Sequence, residues 1–442
     1  MTRVLLVHPE ESRTRYDFQG IIENECLDLE WIQAILQDHG YEVTIFDRQV
    51  EKLSFQKFIE DKEYDVFYGE ARCFQETFIL EYAVAFKERF HGLVILGGPH
   101  AQINQERFFI PEADLVLSGY NYYDLPSIIE GNRDACNLSY RKDGKWICNE
   151  RRAVDIGKMP LPDRSYFYAH PDRYPYLDLK HAMWLRSSFC CPYRCEFCLR
   201  NHMNRRVYSR RDVKDLVDEI ELNDNENVYL VDDDFLFDES YVRAFIDEIR
   251  RRKISRNYIC YGRADFIAAH EDIISDFKDI GLYYVLTGLE DFRDEKLDSY
   301  QKRNSVENNE RCIEICQRNN VNLMAMFILG LDFKGKDFRE LYDYIRRHHL
   351  RHVAVSVYTP ELGIAEAADY ITEDPSDFDY LHLVAKPKYL SVRAWYFHYY
   401  VLLIRLFLKG WREGVYDFID YGDYIRSFIR KIFVFRKEED HV

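Results

Sequence analysis

The sequence predicts an α/β protein in two parts, a doubly wound parallel sheet followed by an incomplete (βα)6 barrel, with a helical extension at its end. Three observations carry this. Short apolar runs alternate with amphipathic segments over residues 1–135, a strand-then-helix period returns six times within 181–374, and dense aromatics at helical spacing fill 375–442. A chain of 442 residues also exceeds what one hydrophobic core supports, since such cores stop growing at about 250–300 residues.

In the first part, Val4-Leu5-Leu6-Val7, Val43-Thr44-Ile45-Phe46, Val66-Phe67-Tyr68, Leu93-Val94-Ile95-Leu96 and Leu115-Val116-Leu117 read as buried parallel strands. Helical patterns near 27–39, 76–90 and 123–130 separate them. Ligands of such sheets lie beyond the carboxyl ends of the strands. That places His8-Pro9-Glu10, Gly69-Glu70-Ala71-Arg72, Gly97-Gly98-Pro99-His100-Ala101 and Ser118-Gly119-Tyr120 on one rim. Residues 136–180 are polar and carry Pro160-Leu161-Pro162-Asp163-Arg164, which marks a linker.

The barrel strands fall near 183–187, 228–232, 257–261, 283–288, 323–329 and 353–357, and catalytic loops of such barrels lie at the strand carboxyl ends. In the extension, apolar residues at 399, 402, 403, 406 and 407 recur at helical spacing before the mixed-charge segment Arg436-Lys437-Glu438-Glu439-Asp440-His441. Such a stripe is expected to pack on the barrel, with a substrate lid as its other use.

Apolar residues make up 47% of the chain and charged ones 31%, the balance of a globular protein with a large core. The net charge of −17 argues against a nucleic-acid partner, which needs a basic face, and disfavours anionic membranes. No run of about 18 uncharged apolar residues is present, so no membrane span is expected. The 11 cysteines form no secreted framework and no signal peptide opens the chain, which points to the cytoplasm.

The chemistry centres on Cys190-Cys191-Pro192-Tyr193-Arg194-Cys195-Glu196-Phe197-Cys198. Three thiols at C-x3-C-x2-C are one short of the four that close a structural zinc site or saturate an ordinary four-iron cluster. Iron held by three thiolates keeps a position open for a small molecule. A zinc knuckle or a group of buried cysteines is the other reading. Cys190 could start a C-x4-C spacing instead, but Pro192 and the C-x3-C count favour Cys191.

This motif resembles the signature of the radical SAM enzymes, which it occupies after the first barrel strand with Phe197 before the last cysteine. The resemblance implies that Cys191, Cys195 and Cys198 hold a [4Fe–4S] cluster whose open iron takes S-adenosylmethionine (SAM), and that reductive cleavage yields a 5′-deoxyadenosyl radical. Four further motifs fall in order at strand ends: Asp232-Asp233-Asp234-Phe235, Gly262-Arg263-Ala264-Asp265, Gly288-Leu289-Glu290 and Ile328-Leu329-Gly330. By resemblance, Asp232 and Asp233 lie near the SAM amino group or the substrate and Arg263 clamps the SAM carboxylate. Glu290 meets ribose or substrate hydroxyls, Gly330 clears space for adenine, and Phe197 joins the SAM site. An external donor such as flavodoxin or ferredoxin supplies the electron.

The first part resembles the cobalamin-binding domain that precedes the barrel in one branch of these enzymes, most specifically in Leu96-Gly97-Gly98-Pro99-His100-Ala101 followed by Asp114-Leu115-Val116-Leu117-Ser118-Gly119. There Gly97, Gly98 and Gly119 let the backbone approach the cofactor's nucleotide tail, although any flavodoxin-like sheet also needs glycine at such a turn. Two departures stand out. The D-x-H-x-x-G motif that supplies a histidine to cobalt is absent, and the loop Gly69-Glu70-Ala71-Arg72-Cys73 places a charge pair beside the corrin position. The leading expectation is cobalamin-dependent C-methylation of a small molecule. The alternatives are radical deoxygenation, rearrangement or cyclisation with a vestigial corrin site, and a non-catalytic cobalamin or redox sensor.

Overall fold

The computed structural model describes residues 1–10, 21–360, 362 and 369–419; the mixed-charge segment 436–441 lies outside them. The first sheet holds seven strands in the order β2-β1-β3-β4-β5-β6-β7. Strands β1 (Arg3–His8), β2 (Glu42–Asp47), β3 (Val66–Glu70), β4 (Leu93–Gly97) and β5 (Leu115–Leu117) run parallel. Their apolar runs are buried because helices cover both faces: α1 (Leu27–Asp38), α2 (Phe55–Ile59), α3 (Glu76–Phe90) and α4 (Leu125–Ile129). The strand order reverses between β1 and β3, and this switch point opens a crevice beyond their ends at His8 and Glu70.

The sheet does not stop at residue 135. Strands β6 (Leu138–Lys142) and β7 (Lys145–Cys148) add an antiparallel hairpin to β5, so part of the expected linker belongs to the first domain. The rest of 136–180 is packed rather than loose. After the short helix α5 (Ser165–Ala169), Tyr174 is fully buried and its hydroxyl donates to Asp47 at 2.9 Å.

The second sheet contains β8 (Ala182–Leu185), then, past the short antiparallel pair β9 (Ser188–Phe189) and β10 (Ser209–Arg210), the strands β11 (Asn227–Leu230), β12 (Asn257–Tyr261), β13 (Leu282–Glu290), β14 (Asn322–Leu329) and β15 (His352–Val357). All six strands of this sheet pair parallel in chain order from β8 to β15, an open (βα)6 barrel. Its helices are α6 (Val213–Leu222), α7 (Glu239–Arg252), α8 (Ala264–Ala269), α9 (Glu271–Asp279), α10 (Asp294–Ser299), α11 (Val306–Arg318) and α12 (Gly335–Arg347). Asp212, Asp238 and Ser305 cap the N-termini of α6, α7 and α11 by accepting from backbone N–H groups. Helix α13 (Val392–Arg412) lies against α12, with Trp395 edge-on to Phe338 at 5.4 Å. Among the described residues no helix is long and apolar enough to cross a membrane.

One buried cation joins the two halves. Arg164 donates from Nη1 to Glu25 and, at 3.2 Å, to Glu30, and from Nη2 to Glu219 at 2.8 Å and the Trp184 carbonyl at 2.6 Å. Glu25 precedes α1, Glu30 lies on it, and Glu219 lies on α6. Burial raises the Glu25 carboxyl, and burial with repulsion from Glu25 raises Glu30 well above its ordinary value. Burial also works against the Arg164 cation, but the three carboxylates outweigh it. Removing this guanidinium strands buried acids, a change that costs about 3–5 kcal/mol. Denaturant unfolding of Arg164→Ala should show a loss of that size, with only partial recovery in Arg164→Lys, whose ammonium lacks the fork needed to span three partners.

Candidate active site at the facing strand ends

Both rims open onto one cavity of about 390 Å³, inside the range of about 300–1,000 Å³ usual for ligand pockets. The first sheet contributes His8, Glu70, Ala71, Arg72, Pro99 and Tyr120; the barrel contributes the three cysteines, Asp232, Asp233, Asp234, Arg263, Glu290 and Lys302.

The cysteine loop is held at both ends. At its start Phe189 stacks on Tyr120 at 4.2 Å and meets Trp31 of α1 edge-on at 6.0 Å. Further on, Tyr193 lies under the Arg263 guanidinium at 3.9 Å, the Glu196 N–H donates to the Tyr300 carbonyl at 3.1 Å, and Phe197 packs against the Tyr300 ring at 5.3 Å. Cys191, Cys195 and Cys198 face the cavity, while the Cys190 sulfur turns to the carbonyl oxygens of Cys191 and Arg200. Burial pushes the Cys198 thiol up to about 11, and burial together with Asp234 also raises Cys191. Bound iron reverses this, because a coordinating thiol is deprotonated. Among the described residues no three His, Cys, Asp or Glu side chains converge as ligands of a single ion. A four-iron cluster takes its thiolates at separate corners, and three thiols on one wall with an open side suit it.

The three aspartates after β11 do different things. Asp232 accepts from the Ser187 N–H at 3.0 Å and the Ser188 hydroxyl at 2.5 Å, pinning the segment that leads into the cysteines. Asp233 pairs with Arg200 at 3.4 Å. Asp234, which sequence reasoning passed over, is buried on the cavity wall with both carboxylate oxygens lacking a hydrogen-bond partner. Burial raises its carboxyl well above the usual range against the pull of Arg263 and Lys302. A buried acceptor in this state is costly unless a donor arrives.

Glu290 reaches the cavity through a bulge. The register of β13 on β14 shifts between Gly288 and Glu290, Glu290 adopts φ 61°, and its carboxylate accepts from Lys302 Nζ at 2.8 Å. Lys302 has no signal in the sequence, since it is a lone cation in a loop.

Several expected roles meet different surroundings. The Arg263 fork, expected on a SAM carboxylate, binds Asp265 through two 2.9 Å bonds, and its Nη2 also donates to the Lys302 carbonyl at 2.6 Å. At Gly330, which is not among the residues lining the cavity, Asp332 Oδ1 lies 2.6 Å from where a Cβ would stand. The three glycines of the first rim are likewise packed by protein. A Cβ on Gly97 would meet the Tyr68 hydroxyl at 2.7 Å, one on Gly98 (φ 89°) the Ala71 nitrogen at 2.7 Å, and one on Gly119 the Asn137 amide. These glycines serve close packing of strand ends, and the residues that face the cavity instead are Ala71, Pro99 and Tyr120. The charge in the 69–73 loop is turned partly inward, with Glu70 Oε1 lying 3.6 Å from His8 Nδ1 and burial raising its carboxyl.

Residues 185–345, from the end of β8 into α12, match the radical SAM superfamily. That segment is a radical SAM domain. The likeness indicates an enzyme, and members of that superfamily use a [4Fe–4S] cluster and SAM. Hopanoid C-3 methylase of Methylococcus capsulatus is 22% identical over 409 residues, 86% of this chain and 76% of that protein. The fold is similar to that of TsrM from Kitasatospora setae, a radical SAM methyltransferase, with TM-score 0.66 and 15% identity over 96% of this chain and 90% of that one. It is also similar to OxsB, a cobalamin-dependent radical SAM enzyme, with TM-score 0.63 and 18% identity over 78% of this chain; the match spans about half, 51%, of OxsB.

Two outcomes test this site. After anaerobic reconstitution, Cys191→Ala, Cys195→Ala and Cys198→Ala should each lack the iron–sulfur absorbance that Cys190→Ala keeps. Burial pushes Asp232 up to about 6, so the folded state binds this proton more tightly than the unfolded chain does, whose carboxyl titrates near about 3.9. Its contribution to stability is therefore full below about pH 4 and is lost as pH rises through about 6. Denaturant unfolding of the metal-free protein at both ends of that window should show a smaller fall in Asp232→Asn than in the parent.

Proposed function

We propose that this enzyme abstracts hydrogen from a small-molecule substrate and that the outcome is cobalamin-dependent methylation of an unactivated carbon. The observation that carries this reading is the single cavity lined by both the switch point of the first sheet and the cysteine loop. A group held at one rim faces chemistry at the other. The hopanoid methylase relative and the likeness to TsrM over nearly the whole chain support it.

When bound, the cluster and SAM supply a 5′-deoxyadenosyl radical, and a corrin supplies the methyl group. In this reading Cys191, Cys195 and Cys198 hold the iron and Asp234 accepts from the ammonium group of SAM. Glu290, oriented by Lys302, accepts from ribose or substrate hydroxyls. Ala71, Pro99 and Tyr120 face the corrin, with His8 tied to Glu70. An external flavodoxin- or ferredoxin-type protein delivers the electron in a reducing cytoplasm.

Radical chemistry without methyl transfer is the second reading. The filled glycine positions 97, 98 and 119 and the buried Glu70 carboxyl at the first rim favour it. Anaerobic reconstitution with and without cobalamin separates the two. The methylation reading expects one corrin per chain by absorbance and both S-adenosylhomocysteine and 5′-deoxyadenosine during turnover. Formation of 5′-deoxyadenosine with neither corrin nor S-adenosylhomocysteine replaces it with the second.

The role of Asp234 is tested separately. Asp234→Asn should weaken SAM binding to the cluster-loaded protein by about 1.5–3 kcal/mol, the range for a hydrogen bond to a charged group, with the iron–sulfur absorbance retained. Equal affinity in titration calorimetry assigns the ammonium group to another residue.

A further inference from the structure

Helix α13 is apolar on two opposite faces. Its inner face buries Trp395, Tyr399 and Leu402 toward the barrel. At about 100° per residue, Phe397, Tyr400, Ile404, Phe407, Leu408 and Trp411 fall within an opposing arc of about 100°. These six are between 43% and 65% exposed. A continuous aromatic and aliphatic stripe of this kind on a protein surface marks an interaction site.

The charge of the helix selects the partner. In a chain of net charge −17, residues 392–412 contain no Asp or Glu but carry Arg393, Arg405, Lys409 and Arg412. Arg405 and Arg412 are exposed and flank the stripe on one side, and Arg393 stands at its N-terminal end. Lys409 is held by the Leu350 carbonyl and by Glu413, the residue just past the helix. An apolar stripe bordered by cations, with aromatic rings at its edge, is the pattern of a helix lying in the plane of a lipid interface. We infer that the outer face of α13 docks this enzyme on an anionic membrane surface. The local charge is complementary to such a surface although the chain as a whole is acidic, because charges further away than about 10 Å are screened at ordinary salt. The helix lies on the membrane and does not span it, since its other face is already buried on the barrel. This inference is independent of the reaction proposed above.

The test uses the full-length, cluster-loaded enzyme and vesicles of phosphatidylcholine with or without phosphatidylglycerol. Co-sedimentation is expected with the phosphatidylglycerol vesicles and not with phosphatidylcholine alone, and should weaken as salt is raised. Phe407→Ser/Trp411→Ser should abolish it, and Arg412→Glu should weaken it by about fivefold or more, both with unchanged SAM cleavage in solution. If the double variant does not fold, the Arg412→Glu effect and quenching of tryptophan fluorescence by brominated lipids carry the test. Absence of binding to anionic vesicles overturns the inference, as does equal binding by the folded variants. So does a wild-type dimer that Phe407→Ser/Trp411→Ser converts to monomer, which makes the stripe an interface between copies. Cross-linking that finds the stripe covered by residues 420–442 in the presence of vesicles also overturns it.

Discussion

The Arg164 guanidinium is shared by three buried carboxylates from two domains, and the placement of the active-site cavity follows from that sharing. Glu25 and Glu30 come from the first domain and Glu219 from the first helix of the barrel, while the Trp184 carbonyl belongs to the strand that leads into the cysteines. None of these groups could be buried singly at acceptable cost. Together they fix the angle at which the strand ends of one sheet face those of the other. A second tie lies nearer the cavity, where Arg186 pairs with Asp28 at 3.2 Å and its guanidinium lies 5.7 Å from the centre of the Trp31 ring. The cysteine loop begins three residues beyond Arg186 with Phe189, already wedged between Trp31 and Tyr120. Its geometry is thereby coupled to the first domain as much as to the barrel.

Within the cavity the charges are arranged so that one acid is left over. Asp232 is held by two donors, Asp233 by Arg200 and Glu290 by Lys302, and Asp265 takes the Arg263 fork. Asp234 has the same chemistry and no such partner. Low dielectric makes an unmatched acceptor expensive and its pairing correspondingly favourable. Among the described acids of the barrel rim, Asp234 is therefore where a cationic ligand would gain most, beside the thiols of the cysteine loop.

The periodic elements were legible because buried parallel strands are written as continuous apolar runs: the five strands of the first sheet and the six of the barrel lie within a few residues of where the pattern places them. The cysteine motif was legible through its spacing. What the sequence hid were pairings between distant residues. Nothing local in Pro162-Asp163-Arg164 says that its arginine is buried among glutamates at 25, 30 and 219. Polar composition therefore read as a linker, and the hairpin of β6 and β7 was absorbed into it. Arg263 was expected by resemblance to clamp the SAM carboxylate, and nothing in Gly262-Arg263-Ala264-Asp265 shows that its fork is held by Asp265, two residues on. The glycines at 97, 98 and 119 were ambiguous for a physical reason: absence of a Cβ admits a ligand or a neighbouring strand end equally, and only the coordinates show Tyr68, Ala71 and Asn137 in those places.

Net charge over the whole chain also says little about the local surface of α13. A sum over the whole chain treats acids and bases as if they acted from one point, whereas a membrane or a partner meets only the charges within a screening length of its surface. Residues 392–412 carry no acid, and many acids of the barrel helices are held in ion pairs, such as Glu239 and Asp272 with Arg243. The same period that showed α13 to be a helix could not separate its two apolar faces. In a 3.6-residue repeat, residues 399, 402, 403 and 406 describe the buried side, while 397, 400, 404, 407, 408 and 411 describe the other. A helix apolar all round normally sits inside a protein; on the outside of a barrel the second face requires a second partner.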